Sequence, residues 1–249
     1  MKNLTSIGLI PARYQSSRFP GKPLADLNGH PVIEHVYRRA LKARCLQRVV
    51  VATDDERIRD AVVSFGGEAV MTSPEHPTGT DRIAEATVGL KADLIVNIQG
   101  DEPLLDPDMI DQIVVPFSKD PTVQVATLVS PLKEIVEVLD ANTVKVVLDL
   151  EGNILCFSRS PIPYPKERRQ YKVFRQIGLY AFRQPALEIF AQWGPAPLET
   201  IEGVELFRLL EHGWKVRAVE TLCQTVAVDT PSDLARARRI LQKTGTGSL

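Results

Sequence analysis

Short apolar runs rich in Val and Ile alternate with amphipathic stretches of helical period through the first half of this chain, and no other feature restricts its fold as much. Strands apolar along their whole length must be covered on both faces, and helices returning the chain between parallel strands provide that cover. The runs predict strands over Ser6–Ala12, Arg48–Thr53, Glu68–Thr72, Asp93–Gln99 and Val123–Val129. Helices are expected over Pro31–Ala43, Asp55–Phe65, Thr80–Leu90 and Pro107–Ser118, with Pro31 and Pro107 suited to the first turn. The second half changes character. Val144–Asp149, Ile154–Phe157 and Phe174–Phe182 read as strands, separated by a proline-rich, charged segment at Pro161–Arg169 that is expected to protrude as a loop and to be available for oligomer contact. Helices over Gln184–Gln192 and Glu199–His212, a strand pair within Val216–Val228 and a terminal helix from Pro231 follow, with a frayed tail over Thr244–Leu249.

A chain of 249 residues fits one large α/β domain. Thirty basic side chains against 31 acidic ones give no field for nucleic acid, so positive charge acts only where it is clustered. No signal-peptide core follows Met1 and no membrane-length apolar run exists, so a cytoplasmic location without membrane association is expected. Cys45, Cys156 and Cys223 are odd in number and lack C-x-x-C spacing, which suits a reducing compartment and gives no zinc site. The histidines His30, His35, His76 and His212 show no metal spacing, and there is no G-x-S-x-G elbow.

In open parallel sheets ligands bind beyond the carboxyl ends of the strands, and three chemistry-bearing segments fall there. The first, I-P-A-R-Y-Q-S-S-R-F-P-G-K-P, brings Pro11, Ala12, Arg13, Ser17, Arg18 and Lys22 to one strand end, where amides and cations can converge on phosphates. Its spacing matches neither G-x-x-x-x-G-K-[ST] nor G-x-G-x-x-G. The second is Thr53-Asp54-Asp55. The third, N-I-Q-G-D-E-P, aims Asp101 into the crevice as a magnesium ligand, because hard cations take one or two protein carboxylates and fill the rest of their shell with phosphate and water. Asp229, before the Pro231 helix, is either a second such carboxylate or a helix cap. Thr80, Asp81 and Arg82 open a helix after Gly79 and fit either base and phosphate recognition or simple capping. Arg159 at a strand end suits a bidentate grip on a carboxylate, or is merely solvated, and Lys145 projects either to a ligand or to solvent.

Eight motifs in order (I-P-A-R-Y-Q-S-S-R-F-P-G-K-P-L, V-A-T-D-D, T-G-T-D-R, V-N-I-Q-G-D-E-P, V-K-V-V-L-D, F-S-R-S-P-I-P, I-G-L-Y-A-F and V-D-T-P-S-D-L) resemble the CMP-Kdo synthetases, the 3-deoxy-manno-octulosonate cytidylyltransferase family, over nearly the whole chain. The resemblance implies a Rossmann-like mixed, mainly parallel sheet flanked by helices, of the nucleotide-diphospho-sugar transferase type. It implies a single nucleotidyltransferase domain over 1–249, with a smaller dimerisation and sugar-binding region inserted at about 130–200. The activity implied joins CTP to Kdo with magnesium, giving CMP-Kdo and pyrophosphate for lipopolysaccharide synthesis, in a homodimer. Arg13, Ser17, Arg18 and Lys22 then correspond to the triphosphate loop, with Arg18, Lys22 and Asp101 catalytic. Thr80, Asp81 and Arg82 lie near cytosine, and Asp101 and Asp229 hold the metal. Gln99, Arg159, Gln176, Tyr180 and Glu205 fall where the family contacts the sugar acid.

The chain departs from the family pattern at two places. Gln176 stands where many members carry histidine, and Val204-Glu205-Leu206-Phe207-Arg208 where L-E-Q-L-R is common. Both changes remove hydrogen-bonding groups expected near the sugar, so an amino-substituted Kdo analogue or another ulosonic acid is the alternative substrate. A nucleotide-sugar glycosyltransferase and a non-catalytic CTP sensor are the alternatives from other classes.

Overall fold

A computed structural model describes residues 4–16, 18–166 and 172–244. The chain divides into two compact units, one of residues 4–111 with 224–244 and the other of residues 112–223.

In chain order the first unit holds β1 (Ser6–Ala12), β2 (Asp26–Leu27), β3 (His30–Pro31), α1 (Val32–Ala40), β4 (Leu46–Thr53), α2 (Glu56–Ser64), β5 (Ala69–Met71), α3 (Gly79–Ala86) and β6 (Leu94–Ile98). Helix α4 (Pro107–Lys119) leads into the second unit, which holds β7 (Val125–Pro131), α5 (Ile135–Leu139), β8 (Lys145–Leu148), β9 (Ile154–Ser158), β10 (Phe174–Arg183), α6 (Gln184–Gln192), α7 (Pro197–Glu202), α8 (Phe207–Glu211) and β11 (Arg217–Glu220). The chain then returns to the first unit for α9 (Pro231–Thr244).

The first unit is built on parallel strands in the order β6-β1-β4-β5. Burial runs through consecutive residues of β1, β4 and β6 rather than every second one, as strands covered on both faces require. Each fully buried Leu, Ile or Val of this core contributes roughly 1.5–3 kcal/mol. Helix α1 buries Val32, Ile33, Val36, Tyr37 and Ala40. Helix α9 seats Leu234, Ala237 and Leu241 against Leu27, Val32 and Val228, which ties the returning segment to the first unit.

In the second unit β7 pairs parallel with β11 and antiparallel with β10, and β8 pairs antiparallel with both β10 and β9. A mixed sheet flanked by helices results, as the fold class requires.

Three local expectations are corrected. Glu199–His212 is not one helix: Gly203, at φ +63°, ends α7 in the left-handed region that glycine enters without steric cost, and α8 starts afresh. Of the strand pair within Val216–Val228 only β11 forms, pairing with β7 rather than with a hairpin partner. Helix α3 stops at Ala86, short of Leu90, and the chain turns through Gly89 at φ +83°. The charged segment at Pro161–Arg169 is neither helix nor strand through Lys166, and the remainder of it, together with most of the tail, lies outside the described residues.

Candidate active site

The parallel register aligns the carboxyl ends of the central strands, with Ala12 of β1 opposite Thr53 of β4 and Leu9 opposite Asn97 of β6. The segment leaving β1 is folded on itself: Gly21 N donates to Tyr14 O at 2.8 Å, and Leu24 N to Gly21 O at 2.9 Å. Gly21 takes φ +72° beneath the Tyr14 ring, where a Cβ would stand 3.1 Å from the phenol oxygen. On the same ring the Arg57 guanidinium stacks at 3.4 Å, and two of its nitrogens are held by Asp55 at 3.0 and 2.6 Å. Two groups outside the motif therefore fix the shape of the loop that carries Arg13, Arg18 and Lys22. Ser17 lies outside the described residues.

Lys22 is the centre of the arrangement. Its ammonium lies 2.7 Å from Asp101 Oδ2 and 3.2 Å from Asp229 Oδ1, and Arg18 Nη2 reaches Asp229 Oδ1 at 3.0 Å. Lys22 thus reaches across 79 positions to Asp101 and across 207 to Asp229. Asp101 comes so close because Gly100 passes the end of β1, where a Cβ would meet the Pro11 carbonyl oxygen at 2.8 Å. The returning chain is pinned beside it by Val228 N donating to Asp101 O at 2.8 Å and by the Thr225 hydroxyl donating to Glu102.

Asp229 does not cap α9. Asp233 Oδ2 accepts from Asp229 N, Thr230 N and the Thr230 hydroxyl, and Thr230 Oγ1 accepts from Asp233 N, a reciprocal cap that leaves the Asp229 carboxylate to the cations. Two carboxylates already converging on one ammonium are suited to a small hard cation completed by phosphate and water oxygens. Among the described residues no group of three or more His, Cys, Asp or Glu forms a metal cage.

The segment expected near the base is more enclosed than its sequence suggests. Thr80, Asp81 and Arg82 are buried. Thr78 caps α3, accepting from Asp81 N at 3.2 Å and donating to Asp81 Oδ2 at 2.6 Å, while Thr80 accepts from Asn97 Nδ2. Arg82, expected to be free for a ligand, is instead paired with Asp54 at 3.2 Å and donates to Thr72 Oγ1 at 2.7 Å, so it braces the Thr53-Asp54 turn against α3.

In the second unit, Arg159 follows β9, and Gln176 and Tyr180 lie on β10 either side of a register shift between Ile177 and Tyr180. Gln176 Nε2 is buried and has no hydrogen-bond partner among the described residues, a costly state that a ligand acceptor would relieve. Tyr180 is buried and Glu205 half-buried. Leu206, at the second departure from the family pattern, is fully buried. Lys145 projects neither to a ligand nor to solvent: it is fully buried and bound to three backbone carbonyls. Gln99, in the first unit, donates to Asn97 Oδ1 at 3.5 Å.

Capping by the residues around Pro231 is as the sequence leads one to expect, with Thr230 and Asp233 forming the cap instead of Asp229. The parts played by Tyr14, Arg57 and Glu202 are not legible in the sequence, and nothing in it links Tyr14 to Arg57 across 43 positions.

A parallel sheet whose first loop brings cations onto two carboxylates beyond the strand ends defines an α/β nucleotidyltransferase. The chain belongs to the cytidylyltransferase family, whose model matches residues 7–221. The 3-deoxy-manno-octulosonate cytidylyltransferase of Syntrophotalea carbinolica is 50% identical over 243 residues, covering 94% of this chain and 97% of that protein. The protein of the same name from Geobacter metallireducens is 46% identical, over 91% of this chain and 93% of that one. A solved structure of CMP:2-keto-3-deoxy-manno-octonic acid synthetase complexed with CTP matches with a TM-score of 0.92 at 40% identity, covering 96% of this chain and 99% of that chain. The 4-diphosphocytidyl-2C-methyl-D-erythritol synthase of Anaerococcus prevotii, at 13% identity and a TM-score of 0.62 over 97% of this chain and 100% of that chain, shares the fold alone.

Proposed function

We propose that this chain transfers CMP from CTP to Kdo, giving CMP-Kdo and pyrophosphate, the step that activates the sugar acid for lipopolysaccharide synthesis. The observation that carries this reading is the Lys22 ammonium held between Asp101 and Asp229 with Arg18 alongside, a set of charges suited to a triphosphate and its metal.

In the reaction the anomeric hydroxyl of the sugar attacks the α-phosphate in line and pyrophosphate leaves, so no covalent enzyme intermediate is required. Arg13, Arg18 and Lys22 bind and orient the triphosphate, and the last two offset charge on the leaving group. Asp101 and Asp229 would hold magnesium, whose contribution is to neutralise charge on the phosphates. The Lys22 ammonium, which bridges both carboxylates, stands where it would face the phosphates of a nucleotide held by the same loop. Arg159 is assigned the sugar's carboxylate, and the Gln176 amide nitrogen, without a partner among the described residues, one of its hydroxyls. The second reading, in which the sugar is an amino-substituted analogue or another ulosonic acid, rests on Gln176 standing where many family members carry histidine.

The working form is proposed to be a homodimer in the cytoplasm. Helix α5 buries none of its residues and leaves Ile135, Val136 and Leu139 exposed at 72, 69 and 63%, an apolar surface that a second copy would cover. No helix among the described residues is long and apolar enough to cross a membrane.

The deciding experiment measures pyrophosphate release from CTP and magnesium with Kdo, its amino analogue and other ulosonic acids in parallel. Turnover with Kdo is expected. Turnover confined to another acid reassigns the substrate, and CTP binding without release for any acid replaces the enzyme by a sensor.

A further inference from the structure

Lys145 opens β8 with its side chain fully buried, and its ammonium donates to Asp140 O at 2.8 Å, to Thr143 O at 2.7 Å and to Arg159 O. It forms no ion pair with a carboxylate among the described residues. A buried ammonium satisfied only by neutral acceptors is a poor way to stabilise a fold, since desolvating the charge costs more than such hydrogen bonds return. Burial accordingly pushes its pKa below that of a free lysine. What the lysine does accomplish is local. It draws the turn at 140–143 and the end of β9 onto a single point, and both pieces hold Arg159.

From that turn the Ala141 carbonyl accepts from Arg159 Nη1 at 2.9 Å. From α7 the Glu202 carbonyl accepts from Arg159 Nε at 2.6 Å, while the Glu202 carboxylate accepts from Arg159 N at 2.8 Å and from Ser158 Oγ at 2.9 Å. The backbone of Arg159 is thus held at its N–H by Glu202 and at its carbonyl by Lys145. Its guanidinium is fixed by two neutral oxygens. None of these contacts neutralises its charge, and Nη2 lies over Gly203, where even an added Cβ would remain 3.7 Å away. A guanidinium oriented by carbonyls and unpaired with any described carboxylate is ready for a carboxylate brought by a ligand.

We propose that Lys145 and Glu202 are positioning residues for the sugar-acid substrate, acting through Arg159 by fixing its backbone and the carbonyls that aim its guanidinium. The inference rests on the assignment of Arg159 to the sugar's carboxylate. Neither residue touches the substrate, and neither contributes to CTP binding.

The test compares Lys145→Met, Glu202→Gln and Arg159→Ala by steady-state pyrophosphate release, with CTP affinity measured separately by calorimetry and folding by circular dichroism. Loss of one charge-assisted hydrogen bond corresponds to about ten- to hundredfold in affinity. Lys145→Met and Glu202→Gln are therefore expected to raise KM for the sugar acid about tenfold or more, with KM and Kd for CTP within about twofold of wild type. A merely structural role would lower the melting temperature and degrade both substrates together, or leave both KM values alone. Glu202→Gln keeps shape and volume, so it decides the matter if Lys145→Met does not fold. If Arg159→Ala leaves KM for the sugar acid unchanged, the assignment of Arg159 fails. If Arg159→Ala raises it while folded Lys145→Met and Glu202→Gln keep the wild-type value, the positioning role alone is overturned.

Discussion

At the scale of single residues, the candidate site depends on charges that are already balanced and on one glycine. Asp101→Asn removes a carboxylate from the proposed metal pair and is expected to lower kcat by about a hundredfold or more while the fold persists, since Asp101 lies at the surface of its unit. Near wild-type turnover at saturating magnesium would remove Asp101 from the mechanism. Gly100→Ala places a methyl group 2.8 Å from the Pro11 carbonyl oxygen, a backbone atom that cannot swing aside as the far end of a flexible side chain could. Its expected signature is displacement of the Asp101 loop, read as a drop in kcat together with a lowered melting temperature. Cys45 illustrates the reverse case, a reactive residue type made inert. Burial, with the Asp111 carboxylate close by, pushes its thiol up to about 12. It should therefore resist thiol reagents at pH 8 in the native protein and react once the protein is unfolded.

At the scale of elements, short helices are held by caps and by one buried ion pair. Asp55 caps α2, accepting from Arg57 N, and its carboxyl is held below the ordinary range chiefly by the Arg57 side chain. A depressed acid stabilises the fold above its unfolded pKa and loses that contribution as pH falls through the lower folded value. The gap in melting temperature between wild type and Asp55→Asn should accordingly close as pH is lowered below about 4. A gap independent of pH would mean that the charge of Asp55 is not what matters. In the second unit Arg208, fully buried, pairs with Glu199 at 2.7 Å and donates to the carbonyls of Phe190 and Trp193, locking α8 to α7 and to the end of α6. Arg208→Leu leaves the Glu199 carboxylate buried without its cation and is expected to cost about 3–5 kcal/mol in denaturant unfolding. A loss below about 1 kcal/mol would show that the carboxylate finds water or protonates at little cost.

At the scale of the whole molecule, two proposals have readouts independent of turnover. Because Lys22 and Arg18 already balance the charges of Asp101 and Asp229, chelation should abolish activity yet leave the melting temperature unchanged, whereas a lowered melting temperature would make the metal structural. The exposed apolar residues of α5 predict that the 27.6 kDa chain sediments at twice its mass, and that Ile135→Lys with Leu139→Lys yields a folded monomer. A variant still dimeric would place the interface elsewhere.

The sequence by itself determined the order of the parallel strands and their helices through α4, though not the short β2–β3 pair, because a fully buried parallel strand must be written as an unbroken apolar run whatever surrounds it. It also delivered the cationic loop and the acidic strand ends as local strings, and their order along the chain carried the family. Tertiary structure alone decided what those residues face. Asp229 is released for the cations because Thr230 and Asp233 satisfy the helix end, Arg82 is consumed by Asp54, and Lys145 is turned inward against three carbonyls. Each of these outcomes depends on a hydrogen-bond partner delivered by another segment of the chain, from a few residues away in the caps and turns to 79 and 207 positions away around Lys22. A polar side chain states in the sequence only what it can bind, and the fold settles which partner reaches it first.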